Sequence, residues 1–222
     1  MLDWPGRIAS TVFFAGCNFR CPFCHNAELV LNPEIYEDID PIDLLNYLKS
    51  RRLWVENIVI TGGEPTLAPG LEDFLGVLKQ EGFNIKLDTN GSRPAILLRL
   101  IEARLVDYVA MDYKAPMSRY TLVTGVPVDI KSIEESIDIL LSSGIEHEFR
   151  LTAVPELLTV EDLVAAAREL HGRGARKIYL QQFKNEGTLD PELSKVNHMP
   201  AELLEDAAYR IRKFMEVELR GV

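Results

Sequence analysis

Three closely spaced cysteines offer the most distinctive chemistry in this sequence. Cys17, Cys21 and Cys24 have the spacing C-x3-C-x2-C, and the 222-residue chain contains no other cysteine. An odd number of thiols within eight residues cannot form a closed set of disulfides, and thiols persist in a reducing compartment. The spacing therefore predicts a metal or redox site.

The number of thiolates bears on which metal this loop would bind. Structural zinc sites usually have four protein ligands. A short loop with three thiolates can instead bind three irons of a [4Fe–4S] cluster and leave the fourth iron open to an external ligand. Two alternatives stay open: buried free thiols, or zinc held by the cysteines and by His25, which follows them directly. Next to a cluster, His25 and Asn26 would tune it through hydrogen bonds.

Further polar and glycine residues follow, or lie within, apolar segments. Gly62-Gly63-Glu64-Pro65 combines a carboxylate with two glycines, which let a backbone approach a ligand closely. Asp88-Thr89-Asn90 offers oxygen ligands, and so does Asp112, two residues before Lys114. Arg150 lies inside an apolar segment, where a charge needs an anionic partner. Each of these has a structural alternative. Gly62-Gly63 would be a strand-to-helix turn, and Asn90 with Gly91 an Asn-Gly turn. Lys114 would be a solvated lysine, and Arg150 part of a structural ion pair.

Apolar segments rich in valine and isoleucine alternate with helical patterns along the chain. Such segments are typical of strands buried on both faces of a parallel sheet. We predict strands over residues 11–15, 57–61, 84–88, 107–112, 148–153 and 177–181. Leucine and isoleucine recur at helical spacing between the strands. We predict helices over residues 41–51, 71–80, 94–104, 132–141 and 160–171.

The chain length limits the number of βα units. A full eight-unit barrel takes roughly 250 residues, so six units fit the 222 residues better. The sequence therefore predicts an α/β fold: a partial (β/α)6 TIM-like barrel of parallel strands, as a single domain over residues 1–222. An open doubly wound sheet is the alternative. In either fold the active site lies where the strands end, which would bring the cysteine loop and the polar residues together.

Composition narrows the classes of partner. The net charge is −10 at pH 7, which argues against nucleic acid as the main partner. No run of apolar residues is long enough to cross a membrane. The first residues lack the basic and apolar regions of a signal peptide, so we expect a cytoplasmic protein that binds neither nucleic acid nor membrane.

The motifs together resemble a known family. C-x3-C-x-aromatic-C after a first strand, with Phe23 as the aromatic residue, resembles the signature of the radical S-adenosylmethionine superfamily. Gly62-Gly63-Glu64-Pro65 resembles its methionine-binding GGEP motif. The segments Asp88-Thr89-Asn90-Gly91 and Asp112-Tyr113-Lys114 resemble those of glycyl-radical activating enzymes. Similarity to activating proteins of anaerobic ribonucleoside-triphosphate reductases extends over residues 3–26, 181–183 and 188–190.

The resemblance implies roles for these residues. Cys17, Cys21 and Cys24 would bind a [4Fe–4S] cluster, whose open iron would bind the amino and carboxylate groups of S-adenosylmethionine. Glu64 would pair with the ammonium group of that ligand, and a monovalent cation would lie beside its carboxylate. The expected cofactor-binding residues are Phe23, Gly62, Gly63, Glu64, Pro65, Asp88, Thr89, Asn90, Asp112, Lys114 and Arg150.

The resemblance also implies a reaction. One electron from the cluster would cleave S-adenosylmethionine to methionine and a 5′-deoxyadenosyl radical. That radical would abstract a hydrogen from a glycine of a partner glycyl-radical enzyme, with anaerobic ribonucleotide reductase as the expected partner and a flavodoxin- or ferredoxin-type protein as electron donor. Polar residues 183–198 are expected to flank the site. The alternative is a radical enzyme that modifies a small molecule or another macromolecule.

Overall fold

The computed structural model describes residues 3–222, and over this range it has seven strands joined largely by helices. The strands are β1 (Ala9–Phe14), β2 (Asn57–Gly62), β3 (Asn84–Thr89), β4 (Tyr108–Asp112), β5 (Glu146–Ala153), β6 (Lys177–Gln182) and β7 (Glu216–Arg220). The helices are α1 (Ala27–Leu31), α2 (Pro41–Ser50), α3 (Leu71–Gln80), α4 (Pro94–Glu102), α5 (Tyr120–Thr124), α6 (Ile130–Ser143), α7 (Val160–Gly172) and α8 (Ala201–Ile211).

The strands form one sheet whose order follows the chain from β1 to β7. Every neighbouring pair is parallel, and β1 and β7 form the two edges of the open sheet. This confirms the α/β fold with a partial barrel of parallel strands. The doubly wound alternative is wrong, because that topology reverses the strand order at a switch point.

All six predicted strands are present, with ends that differ by no more than two residues. The sheet also contains β7, which the prediction of six units left out. β7 has the sequence EVELR, with three charged residues among five, and it pairs only with β6. Charged side chains are usual on edge strands because they prevent pairing with other chains, and they hid the apolar signal here.

The strand interiors explain why the sheet is the core. Ile58, Val59 and Ile60 of β2 are each 1% exposed or less, so β2 is covered on both faces. The helices bury one apolar side against the sheet, as Leu71, Leu75 and Leu78 do in α3. Within residues 3–222, no helix is long and apolar enough to cross a membrane.

Candidate active site

The carboxyl ends of the strands surround a cavity of about 380 Å³. Except for Glu64 and Pro65, every residue predicted from the sequence to bind a cluster or cofactor lines this cavity. The structure therefore brings together Cys17, Cys21, Phe23, Cys24, Gly62, Gly63, Asp88, Thr89, Asn90, Asp112, Lys114 and Arg150.

The loop that carries the three cysteines is held on three sides. The Asn26 side chain donates from Nδ2 to the Gly62 carbonyl oxygen at 2.7 Å, which joins the loop to the end of β2. The Arg20 backbone N–H donates to the Thr124 carbonyl at 2.8 Å, and the Asp190 N–H donates to the Pro22 carbonyl at 2.8 Å. The thiols thus lie on a loop that hydrogen bonds hold to three other parts of the chain, two of them through the loop backbone and one through the Asn26 side chain.

The two glycines at the end of β2 are needed for close backbone contact with the cysteine loop. The Gly63 N–H donates to the Phe14 carbonyl at 2.8 Å, and the Glu64 N–H donates to the Gly16 carbonyl at 2.8 Å. A Cβ on Gly63 would overlap the Gly16 carbonyl. Gly62 has φ = 121°, which disfavours other residues. Here the close approach joins two loops of the protein, and both glycines also face the cavity.

Burial affects the ionisation of the thiols. It raises the pKa of Cys21 to about 11 against the opposing charge of Lys114. Burial also raises the pKa of Cys17, although the Phe19 N–H donates to its Sγ at 3.3 Å and favours the thiolate. Metal ligands must be thiolates, so a bound metal has to displace these protons.

The arrangement of thiols fits a cluster better than a single zinc ion. His25 Nε2 lies 2.9 Å from the Lys184 carbonyl oxygen and is thereby engaged with the backbone after β6. Three thiols around one cavity, each able to bind a different iron, match the donor set of a [4Fe–4S] cluster.

Glu64 lies behind the cavity wall and is 1% exposed. Its Oε1 accepts hydrogen bonds from the Thr66 N–H at 3.1 Å, the Thr66 hydroxyl at 2.5 Å and the Thr89 hydroxyl at 2.8 Å. Its Oε2 accepts from the Asn90 N–H at 2.6 Å. Burial raises the pKa of Glu64, while these donors favour its ionised form. Oε2 accepts only one of these bonds and keeps acceptor capacity, but Glu64 does not line the cavity; in the structure it joins the turn after β2 to the end of β3.

Arg150 bridges two carboxylates in a charged part of the cavity lining. We call this group, Asp88, Asp112, Lys114 and Arg150, the mouth. Its Nε donates to Asp112 Oδ1 at 2.8 Å and its terminal nitrogen to Asp88 Oδ2 at 3.2 Å. Asp112 and Arg150 are direct neighbours in the ladder between β4 and β5. The predicted structural ion pair is therefore present, at a position where Arg150 also faces the cavity.

Lys114 is not a solvated surface residue. Its Nζ lies 2.9 Å from Asp112 Oδ2, and 17% of its side chain is exposed. Burial alone would raise the pKa of Asp112, but Arg150 and Lys114 outweigh it and hold that pKa well below its usual value. Burial would likewise lower the pKa of Lys114, but the Asp112 carboxylate keeps it raised. The mouth therefore carries the ionised Asp112 carboxylate beside the cations of Lys114 and Arg150 at neutral pH.

Some residues of this region were missed by the sequence analysis. Thr152, Gln181, Gln182 and Lys184 line the cavity beyond the cysteine loop, and their signal was their position at or just after the ends of predicted strands. Lys184 belongs to segment 183–198, which was expected to flank the site. Buried Lys86 lies within β3, and a sequence pattern does not show where its ammonium points.

Comparison with known proteins agrees with this geometry. The profile of the radical SAM superfamily matches residues 11–170, and the chain belongs to that superfamily. The family implies a [4Fe–4S] cluster and S-adenosylmethionine.

Individual relatives differ in what they do. A Methanocaldococcus jannaschii protein, provisionally named a glycyl-radical enzyme activating enzyme, is 32% identical over 90% of this chain and 83% of its own length. The 7-carboxy-7-deazaguanine synthase of Clostridium acetobutylicum is 23% identical over 68% of this chain and 73% of its own. A radical SAM methyltransferase from Sphaerobacter thermophilus has a similar fold, with a TM-score of 0.74 and 16% identity over 98% of this chain and 67% of its own.

Proposed function

We propose that this protein is an activating enzyme that removes a hydrogen atom from a glycine of a partner glycyl-radical enzyme, with anaerobic ribonucleotide reductase as the expected partner. The main support is one cavity that joins three thiols to the turn after β2 and to the polar ends of β3 and β4. The similarity to a provisionally named activating enzyme over 90% of the chain supports the choice of substrate.

When bound, the cluster supplies one electron, and S-adenosylmethionine supplies the 5′-deoxyadenosyl group that accepts the abstracted hydrogen. The chain's own residues have to bind and orient that ligand. In our proposal Asp88, Asp112, Lys114 and Arg150 fix its polar groups, since ion-pair contacts join them into one network at the mouth. Gly62 and Gly63 provide a wall without side chains next to the thiols.

A partner loop would enter beside β5 and β6. Thr152 and Gln181 are direct neighbours in the ladder between these strands, and both line the cavity. Lys184 and segment 183–198 continue from this side. A glycine in such a loop has no side chain to block its approach, and it lets the loop bend into the cavity.

The proposal includes three further components. A flavodoxin- or ferredoxin-type protein delivers the electron, and the reducing cytoplasm keeps the thiols free. A monovalent cation near Asp88 and Asp112 would offset the added negative charge of the ligand carboxylate. If so, ligand affinity should be higher in potassium chloride than in tetramethylammonium chloride at equal ionic strength.

The test is an anaerobic radical assay. Reduced, cluster-loaded protein is mixed with S-adenosylmethionine and the glycyl-radical enzyme of the same organism. We expect a glycine-centred EPR doublet together with equal amounts of methionine and 5′-deoxyadenosine. Replacing the partner's glycine by alanine should abolish the doublet, and Cys24→Ser in this chain should abolish both products.

A small-molecule substrate is the second candidate, and the match to a deazaguanine synthase over 68% of the chain favours it. It predicts stoichiometric conversion of a small molecule by the same reduced protein without any partner. That result, with no radical on any glycyl-radical enzyme tested, would contradict the activating function.

A further inference from the structure

Lys86 is a fully buried lysine whose charge the proposed chemistry does not yet use. It lies in β3, two residues before Asp88, so both side chains are on the same face of the strand. Its Nζ lies 2.8 Å from Asp88 Oδ1 and 3.9 Å from Glu148 Oε1. An ammonium with 1% of its side chain exposed persists only when it is paired.

The backbone before β1 provides the remaining contact of this ammonium. Lys86 Nζ donates to the Asp3 carbonyl oxygen at 2.6 Å. The next residue, Trp4, is 3% exposed, and its ring packs against Tyr108 with centroids 6.1 Å apart. Residues 3 and 4 thus provide a carbonyl that binds Lys86 and an indole that packs on Tyr108, whose ring centroid lies 6.0 Å from Lys86 Nζ.

Glu148 is anchored by the last strand of the sheet. Arg220 of β7 donates to both Glu148 oxygens, at 3.2 and 2.8 Å, and the Tyr108 hydroxyl donates to Oε2 at 3.2 Å. The Lys86 ammonium therefore meets two carboxylates and the Asp3 carbonyl, and one of those carboxylates, Glu148, is itself held by Arg220 and Tyr108.

This arrangement decides how Asp88 meets Arg150. Lys86 holds Asp88 Oδ1, which leaves Oδ2 for Arg150 at 3.2 Å and for the Thr61 hydroxyl at 3.3 Å. Without Lys86, both Asp88 oxygens would turn to Arg150. Arg150 would then be drawn away from Asp112, which it now meets at 2.8 Å.

We propose that Lys86 is a positioning residue for the ligand site: its buried ammonium fixes Asp88, and through Arg150 the whole charged mouth, in the geometry that binds S-adenosylmethionine. The inference rests on the proposed role of Asp88 in binding that ligand. It gives residues 3–4 and Arg220, none of which lines the cavity, a part in ligand affinity.

The experiment measures ligand binding with no partner present. Cluster-loaded protein and its Lys86→Met variant are compared by equilibrium dialysis against S-adenosylmethionine, with iron content measured on the same samples. We expect unchanged iron and a dissociation constant at least tenfold higher, because one charge-assisted contact is worth roughly that factor. Since no partner is added, the result is independent of the glycyl-radical assay.

A matched control comes from Lys79, which also pairs with a carboxylate, Asp107, at 2.8 Å. That pair lies outside the cavity lining, so Lys79→Met should leave the dissociation constant unchanged. A general effect of losing a lysine ion pair would alter both variants equally and would overturn the proposal. An unchanged dissociation constant for Lys86→Met would also overturn it.

The double variant Lys86→Met with Asp88→Asn covers the case in which Lys86→Met alone does not fold. It removes both charges, so no unpaired charge stays buried between them. If Lys86 acts through Asp88, the double variant binds S-adenosylmethionine as weakly as Asp88→Asn and no weaker. A further tenfold loss in the double variant, or normal binding by Asp88→Asn, would show that Lys86 does not position the ligand site through Asp88.

Discussion

Replacement of Glu64 by alanine should destabilise the fold as well as weaken ligand binding. The carboxylate accepts from two backbone amides, those of Thr66 and Asn90, and from two hydroxyls. The hydroxyls can rotate to other acceptors, but the amides cannot. A buried donor left without a partner costs about 1–3 kcal/mol, so the two amides together imply a loss of about 2–6 kcal/mol in the free energy of unfolding.

Urea unfolding of the cluster-free protein measures this loss directly. Glu64→Gln retains one carbonyl oxygen but presents an amide group to one of the donors, so its stability should fall between those of wild type and Glu64→Ala. Glu72→Ala is the control, because Glu72 forms an exposed ion pair with Arg99, and such pairs contribute about 0–1 kcal/mol. Wild-type stability for Glu64→Ala, together with weaker ligand binding, would refute this reasoning and favour a direct ammonium contact.

Three further outcomes follow from the site. Gly63→Ala should lower the free energy of unfolding by about 1–3 kcal/mol, because its methyl group would overlap a backbone carbonyl; Gly76→Ala, in open space within α3, should instead be stabilising in the same urea titration. Asp112→Asn should lose stability relative to wild type at neutral pH. This difference should shrink as pH falls below about 3.9, the ordinary aspartate value, since a lowered pKa stabilises only while the unfolded state would be ionised; urea titrations from pH 6 to pH 3 test the trend. Cys24→Ser should reduce the iron retained after anaerobic reconstitution, as colorimetric iron analysis would show.

Local patterns in the sequence predicted the buried part of the fold well. The strand prediction succeeded for β2 to β6 because apolar residues follow one another there, and α3 was predicted with both its ends. α8 was missed, and so were the five-residue helices α1 and α5. β7 was missed because its pairing with β6 overrides a weak local preference, and such tertiary effects are not visible in one segment.

The cavity residues were predicted more completely than their contacts. Their position at the end of a predicted strand or just after it was enough to select Asp112 and Lys114, because parallel strands bring their carboxyl ends together. It did not show that Glu64 has all its hydrogen bonds inside the protein. Contacts such as that between Lys86 and the Asp3 carbonyl join residues far apart in sequence, and only the folded chain shows them.

The ties between segment 183–198 and the cysteine loop bear on how this scaffold could be redesigned. Two hydrogen bonds make these ties. In the first, the Asp190 N–H donates to the Pro22 carbonyl; in the second, the Lys184 carbonyl meets the His25 ring, which is the only side chain involved. The contribution of this segment to holding the cysteine loop is therefore its backbone path. Its exposed side chains could be randomised in a library to select for new substrates, with the buried Phe183 and Leu193 kept, while the thiol loop keeps its anchors and the first four strands stay unaltered.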